Sequence, residues 1–334
     1  MGIVTSESPV LTRNRKLGLL VTAAIYAATA VAVYFTIDQQ ALDKALALPL
    51  SVLGAMLLLS LANYVCRAWR WVFLTRHLRL DVPVANNSLY YFAGYALTAT
   101  PGKAGEAVRL WLLKSGHAVG YARSLPLMLA DRIVDMWAIV VLVFVSMSGF
   151  AAYQWQSIAM GLIIVLASIP ILFPKLLLPV LAVVYRLQPR LGRLLVRARK
   201  LIRALADCID ARTYAITLVP TVLGWFAECA ALYLVLSYFD APISVSAATF
   251  VFSFSMIVGA VSMLPGGLGS TEATMVLLLK ALGVDLGTAL AATAIVRITT
   301  FWFAVLLGIG CTPAALNAAR RSAELLTART ASQT

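Results

Sequence analysis

Long apolar segments alternate along this chain with short polar connections. An apolar run of roughly 17–25 residues can cross the hydrocarbon core of a bilayer as a helix. Runs of this length occur at 17–37, 49–66, 125–150, 158–184, 215–239 and 286–311. Two further segments, 87–113 and 247–282, are apolar but interrupted near their middle. The pattern predicts an all-α, multi-pass membrane protein with six spanning helices.

The two interruptions share the motif Pro-Gly-x-x-Gly followed by a polar stretch with a glutamate. The first carries Pro101, Gly102, Lys103, Gly105 and Glu106, and the second carries Pro265, Gly266, Gly267, Gly269, Ser270, Thr271 and Glu272. Backbone freed by Pro and Gly at membrane depth is tolerated only where protein buries it or where it lines a watery cavity. Broken helices at matching places in two halves of a transporter typically form its binding site. The motifs therefore predict a transport site.

The composition excludes a soluble globular domain, because 61% of the 334 residues are hydrophobic and only 12% are charged. The first apolar run is expected to remain as a helix rather than to be a cleaved signal peptide. The net charge of +13 does not indicate a nucleic-acid partner, since the sequence has no soluble basic domain. Instead, Lys and Arg concentrate in alternate connections, at 13–16, 67–79, 114–123, 186–212 and 320–329. This bias follows the positive-inside rule.

Placing every basic cluster on the cytoplasmic side fixes the topology. Segment 87–113 then begins and ends inside, whereas segment 247–282 begins and ends outside, so both are predicted to be re-entrant hairpins that dip from opposite faces. The chain is therefore predicted to contain two repeats of opposite orientation, an inverted-topology repeat. The first repeat covers 1–150, the second covers 151–318, and 319–334 is a cytoplasmic tail. Both termini are expected in the cytoplasm.

The basic connection 186–210, inside the second repeat, places leucines at helical intervals among arginines. This is typical of an amphipathic helix at the membrane surface. Such a helix either captures a lipid or anchors the connection between the repeats, and the sequence leaves both open.

Ionisable residues inside the membrane are rare, and they are usually paired or face a cavity. The candidates are Glu106, Arg109, Asp131, Arg132, Asp135, Glu228, Glu272 and Arg297. Half-helices that begin after Gly105 and Gly269 would point free amides at a shared centre, which suits an anion such as a phosphate. We therefore expect these charges, apart from Asp135, to form a substrate site together with the two Pro-Gly motifs.

Two other interpretations of the charges stay open. The pairs Glu106–Arg132 and Glu272–Arg297 would neutralise each other and hold the hairpins to their neighbours. Arg67 and Arg70 fall where the second helix is expected to reach the headgroups, so they either anchor the interface or mark the place where a lipid enters.

The sequence gives no sign of a metal or cofactor. Its cysteines, Cys66, Cys208, Cys229 and Cys311, and its histidines, His77 and His117, lack metal-ligand spacing. It has no nucleotide-binding loop, so an ion gradient or the lipid gradient would have to supply energy. Glu106, Glu228 and Glu272 are the candidates for proton coupling.

Taken together, residues 67–71, 100–109, 130–132, 264–272 and Arg297 resemble the flippase-like membrane family typified by the transmembrane domain of lysylphosphatidylglycerol synthase. The resemblance implies handling of amphiphilic lipids in a prokaryotic cytoplasmic membrane. The soluble aminoacyl-transferase domain has no counterpart here, so synthase activity is not expected.

We therefore expect a lipid flippase rather than an enzyme. An intramembrane enzyme acting on a lipid-linked phosphate or sugar is one alternative. A non-transporting partner that presents a lipid to a transferase is the other.

Overall fold

A computed structural model describes residues 46–98, 104–147, 176–187, 192–208 and 211–332, except 242 and 263, together with positions 43, 155, 162 and 166. This part of the chain is helical and contains no strand. The helices are α1 (Leu50–His77), α2 (Val84–Ala93), α3 (Ala104–His117), α4 (Tyr121–Ser146), α5 (Leu177–Leu187), α6 (Gly192–Cys208), α7 (Ala211–Tyr238), α8 (Val245–Val261), α9 (Ser270–Ala281), α10 (Leu286–Arg297) and α11 (Phe303–Ala331).

Three stretches are long and apolar enough to cross a membrane: Leu50–His77, Arg212–Tyr238 and Leu286–Ala328. The last of these is α10 and α11, joined by a π-helix at Ile298–Trp302. The predicted run at 17–37 and most of 158–184 lie outside the described residues. The predicted all-helical fold is confirmed for the part that the structure describes.

Helix α1 continues to His77, well past the predicted end at residue 66. The basic stretch that begins at Arg67 was expected to be a connection, and most of it is helical. The physical reason is that Arg67 and Arg70 are buried and paired with acids. Because their charges are neutralised inside the protein, the helix continues past them.

Each interrupted segment consists of two helical arms separated by a break. In the first hairpin, α2 leads into a 3₁₀ turn at Gly94–Leu97, and α3 begins at Ala104; residues 99–103 between them lie outside the described residues. In the second, α8 leads to a 3₁₀ turn at Pro265–Gly267 and then to α9. Helices α8 and α9 pack against each other, as do α2 and α3.

Glycines allow the arms to approach closely. A Cβ at residue 105 would overlap the carbonyl oxygen of Gly94, and a Cβ at residue 259 would overlap Oγ1 of Thr271. A larger residue at either glycine would therefore force the arms of that hairpin apart.

The described helices from the two predicted repeats are interleaved. Helix α1 runs along α7, the first hairpin packs on α11, and α8 of the second hairpin packs on α4. At one crossing Ser246 Oγ donates a hydrogen bond of 3.0 Å to the Ser146 carbonyl. The polar residues described below lie where these helices meet.

Candidate functional site

The break of the second hairpin lies against the end of the 3₁₀ turn of the first. Gly266 has a positive φ of 62°, which favours glycine. A Cβ at that position would lie 2.6 Å from the Phe301 ring and 3.6 Å from the carbonyl oxygen of Thr98. We call 98–103 the first tip and 265–269 the second tip. Residues 99–103 of the first tip, which include the predicted site residues Pro101, Gly102 and Lys103, lie outside the described residues, as does the side chain of Glu106.

Glu272 fixes the second tip by two hydrogen bonds. Its Oε2 accepts from the Gly269 amide at 2.7 Å, and its Oε1 accepts from Arg297 Nε at 2.6 Å. The first contact satisfies an amide at the start of α9, in the manner of the glutamate in a capping box. The pair Glu272–Arg297, which the sequence offered as a stabilising alternative, is therefore present.

Arg297 also contacts the tip and the π-helix. Its Nη2 donates to the Gly266 carbonyl at 3.4 Å, and its guanidinium lies 4.5 Å from the centre of the Phe301 ring. Ser270 Oγ donates to the Gly267 carbonyl at 3.0 Å, and Thr271 is buried against Gly259. The arginine therefore positions the second tip, and its positively charged guanidinium group lies beside that tip.

Arg109 lies in the first hairpin, on α3, and is only 3% exposed. Its Nε donates to the Tyr91 carbonyl at 3.1 Å, and its guanidinium stacks over the Tyr91 ring at 3.8 Å. Nη1 lies 3.8 Å from Asp131 Oδ2. Arg109 thus connects the first hairpin to the charged residues of α4.

A buried charge cluster joins α1 to α4. We define this α1–α4 cluster as Arg67, Arg70, Asp131, Arg132 and Asp135. Arg70 is fully buried and donates to Asp131 Oδ1 at 2.6 Å and to Asp135 Oδ1 at 2.8 Å. Arg67 donates to Asp135 Oδ2 at 2.8 Å. Reciprocal pairing offsets the large cost of burying these ions.

Arg67 and Arg70 are buried in this cluster rather than exposed, because both carboxylates of α4 lie buried opposite them. Their role as interface anchors or as the place where a lipid enters stays a prediction. The same geometry disfavours a metal at Asp131 and Asp135, since arginines already occupy the carboxylate oxygens. Arg132 is the most exposed cation of the cluster, with 28% of its side chain accessible, and its Nη2 lies 3.0 Å from Asp131 Oδ2.

Glu228, on α7, lies in the same region. It is 4% exposed and accepts a hydrogen bond of 2.5 Å from Asn63 Nδ2 of α1. One turn away, Trp225 Nε1 donates to Asp135 Oδ1 at 3.1 Å, and the Trp225 ring lies 5.2 Å from the Arg67 guanidinium. The acid is therefore close to the α1–α4 cluster without being part of its ion pairs.

Sequence reasoning missed several residues that complete this region. Tyr64 donates its hydroxyl proton to the Thr300 carbonyl in the π-helix, and Thr221 accepts from Arg70 Nη1 at 2.9 Å. Asn63 was the one with a detectable signal, because it is a polar residue in an apolar helix, one turn before Arg67.

Among the described residues, three cations therefore lie near the meeting of the two hairpins, two of them buried and one partly exposed. Arg109, Arg132 and Arg297 lie on α3, α4 and α10, so three separate helices contribute positive charge. Such an arrangement suits an anionic group better than a cation.

Comparisons with known proteins show which family the chain belongs to. Residues 17–308 match the family described as the lysylphosphatidylglycerol synthase TM region. A UPF0104 membrane protein of Methanothermobacter thermautotrophicus is 25% identical over 270 residues, 73% of this chain and 79% of that protein. A UPF0104 membrane protein of Pyrococcus horikoshii is 25% identical over 272 residues, 72% of this chain and 80% of that protein. One of Methanocaldococcus jannaschii is 24% identical over 213 residues, 62% of this chain and 88% of that protein. The chain is an integral membrane protein and belongs to the lysylphosphatidylglycerol synthase TM region family.

Proposed function

We propose that this protein is a flippase that moves a lipid with an anionic headgroup across the cytoplasmic membrane of a prokaryote. The lipid would be a phospholipid, an aminoacyl-phospholipid or a polyprenyl-phosphate-linked lipid. Its headgroup would cross through the polar region between the two hairpins, and its tail would stay in the bilayer.

The observation that carries the proposal is the meeting of two broken hairpins beside buried arginines. Thr98 of the first tip approaches Gly266 of the second, and Arg297 holds the second tip through Glu272. A purely structural role for these charges would not require broken helices, since unbroken helices satisfy their backbone in lipid.

The packing supports the inverted-repeat topology. Helices α1 and α7, which occupy equivalent places in the two proposed repeats, pack against each other. Each hairpin packs on the long helix that ends the opposite repeat: the first on α11 and the second on α4. In the proposed topology the hairpins are re-entrant from opposite faces, and both termini are cytoplasmic.

Arg109, Arg132 and Arg297 are the proposed headgroup ligands. Arg67 offers a further donor, because its Nε is buried and has no protein partner among the described residues. Guanidinium groups bind phosphate oxygens by directed, charge-assisted hydrogen bonds. The family relationship supports a lipid as the source of that phosphate, since the matching region comes from a protein named for lysylphosphatidylglycerol synthesis.

A flip assay in proteoliposomes tests the proposal. The panel contains headgroup-labelled phosphatidylglycerol, its aminoacyl form, a polyprenyl phosphate and a polyprenyl-linked sugar. We expect one class to move with the wild-type protein and to stop moving with Arg109→Ala or Arg297→Ala. Arg76→Ala is the matched control, because Arg76 lies on α1 and is exposed. If folded wild-type protein moves none of these lipids, or if both site variants move them normally, the proposal is wrong.

A further inference from the structure

Glu228 differs from the other described acids of the membrane core in how it is paired. Asp131 lies 2.6 Å from Arg70, Asp135 lies 2.8 Å from Arg67, and Glu272 lies 2.6 Å from Arg297. Glu228 makes no ion pair within 4.0 Å among the described residues, and its one hydrogen bond comes from a neutral amide, that of Asn63. Among the acids whose side chains the structure describes in this region, it is therefore the one whose charge has no direct counter-ion.

Its position links it to both parts of the proposed site. Arg67 and Asp135 act on it electrostatically from α1 and α4, and Arg297 acts on it from α10. The phenol of Tyr64 lies within electrostatic reach of it as well. Arg67 belongs to the α1–α4 cluster, and Arg297 holds the second tip. A change in the charge of Glu228 therefore changes its electrostatic interaction with an arginine at each of these two places.

The surroundings of Glu228 include a second polar atom without a partner. Asn63 Oδ1 is buried and accepts no hydrogen bond from the part of the chain that the structure describes. Buried acceptors normally find a donor. The carboxylate thus lies beside an amide that offers both a donor and an acceptor, and such an amide can partner the acid in either protonation state.

The three acids that the sequence offered for proton coupling can now be separated. Glu272 is fixed by the Gly269 amide and by Arg297, and protonating it would release the second tip. The side chain of Glu106 is outside the described residues. Glu228 can gain and lose a proton without breaking an ion pair, because the Asn63 amide can donate to a neutral carboxyl as well as to a carboxylate.

From this geometry we propose that Glu228 is a proton-binding site that couples lipid movement to a proton gradient. A proton from one side of the membrane adds to the carboxylate and gives the neutral acid, and the same proton leaves to the other side, so no other reactant is needed. The neutral form leaves the positive charge of Arg67 and Arg297 less compensated, which favours an anionic headgroup. The carboxylate form favours its release.

This inference rests on the proposed flippase function, so its test has one arm that does not depend on transport. In that arm the infrared carbonyl band of a protonated carboxyl group is recorded for the purified protein in nanodiscs as the pH is lowered. We expect wild-type protein to show a band that titrates and that is missing from Glu228→Gln. A titrating band of equal size in both proteins, or none in either, would overturn the assignment of the proton site.

The second arm measures coupling in proteoliposomes with the lipid class identified by the flip assay. One proton per lipid lets a gradient of about two pH units sustain up to about a 100-fold lipid asymmetry, since one pH unit corresponds to a tenfold ratio. We expect wild-type protein to build an asymmetry of at least about tenfold that collapses when an ionophore removes the gradient.

Glu228→Gln keeps the shape and the Asn63 contact but cannot carry the proton. We expect it to lose the gradient-driven asymmetry that the wild-type protein builds, because its side chain is held in the neutral form. Glu324→Gln, which changes an exposed acid on α11, should behave like wild type. Lipid movement by wild-type protein that ignores the gradient would refute coupling but leave the flippase function intact. Absence of lipid movement would refute the flippase function, and the infrared titration would still decide the proton site.

Discussion

Replacing Arg70 by methionine should destabilise the protein more than any other single arginine change on α1. Arg70 is fully buried and makes four hydrogen bonds: two to Asp131 Oδ1, at 2.8 and 2.6 Å, and one each to Asp135 and Thr221, at 2.8 and 2.9 Å. Methionine fills much of the volume but leaves both carboxylates without these donors.

The magnitude follows from what the carboxylates keep. Removing one partner of a buried ion pair costs about 3–5 kcal/mol. Asp131 retains Arg132 at 3.0 Å and Asp135 retains Arg67 at 2.8 Å, which places the expected loss at the lower end, about 3 kcal/mol. Arg76→Met, on the exposed side of the same helix, should change stability by less than about 0.5 kcal/mol.

The assay is unfolding in mixed micelles, followed by tryptophan fluorescence. Asp131→Asn and the double variant Arg70→Met/Asp131→Asn complete a double-mutant cycle. We expect the double variant to be more stable than the sum of the singles predicts, by about 1–3 kcal/mol, because the uncompensated carboxylate is gone. An Arg70→Met variant as stable as Arg76→Met would show that the α1–α4 cluster does not hold α1 to α4.

Three further predictions concern the hairpins and the π-helix. Gly105→Ala should destabilise by about 1–3 kcal/mol, because the new Cβ overlaps the Gly94 carbonyl, whereas Gly54→Ala should not destabilise, since nothing lies within 4 Å of its new Cβ; thermal unfolding of the two variants checks this. Glu272→Gln should weaken the anchoring of Arg297 and speed hydrogen exchange at the Gly269 amide by about tenfold or more, which corresponds to roughly 1.4 kcal/mol of lost protection; unchanged exchange would contradict it. Tyr64→Phe removes the hydroxyl that donates to Thr300 in the π-helix and should cost about 1 kcal/mol of unfolding free energy, with Tyr121→Phe at an exposed position as the control.

The sequence predicted the parts of this architecture that depend on local chemistry. Pro265 and the glycines after it predicted the break between α8 and α9, and the structure confirms that break. The pairing of Glu272 with Arg297 was recognisable as an alternative because Glu272 is the one acid of segment 247–282 and Arg297 is the one charge of segment 286–311.

Pairing across the interior was harder to foresee. The sequence places Arg67 and Arg70 at the end of an apolar run, where exposure and burial look alike. Their burial depends on Asp131 and Asp135, which lie more than sixty residues away along the chain and reach them only after α1 packs on α4. The inverted repeat, the re-entrant hairpins and the lipid remain predictions.

The most direct test of the central claim is to lock the two tips together and to measure lipid movement. Leu264 is exposed and lies two residues from Gly266, so it is within about 7 Å of the residue that faces Thr98. In a background without the native cysteines, Thr98→Cys and Leu264→Cys would be joined by a cleavable thiol reagent that spans about 10 Å, a reach chosen from the backbone spacing. We expect the cross-link to stop lipid movement in proteoliposomes and its reduction to restore it, while each single-cysteine variant stays active. Lipid movement that continues at the full rate with the tips cross-linked would contradict a path between them.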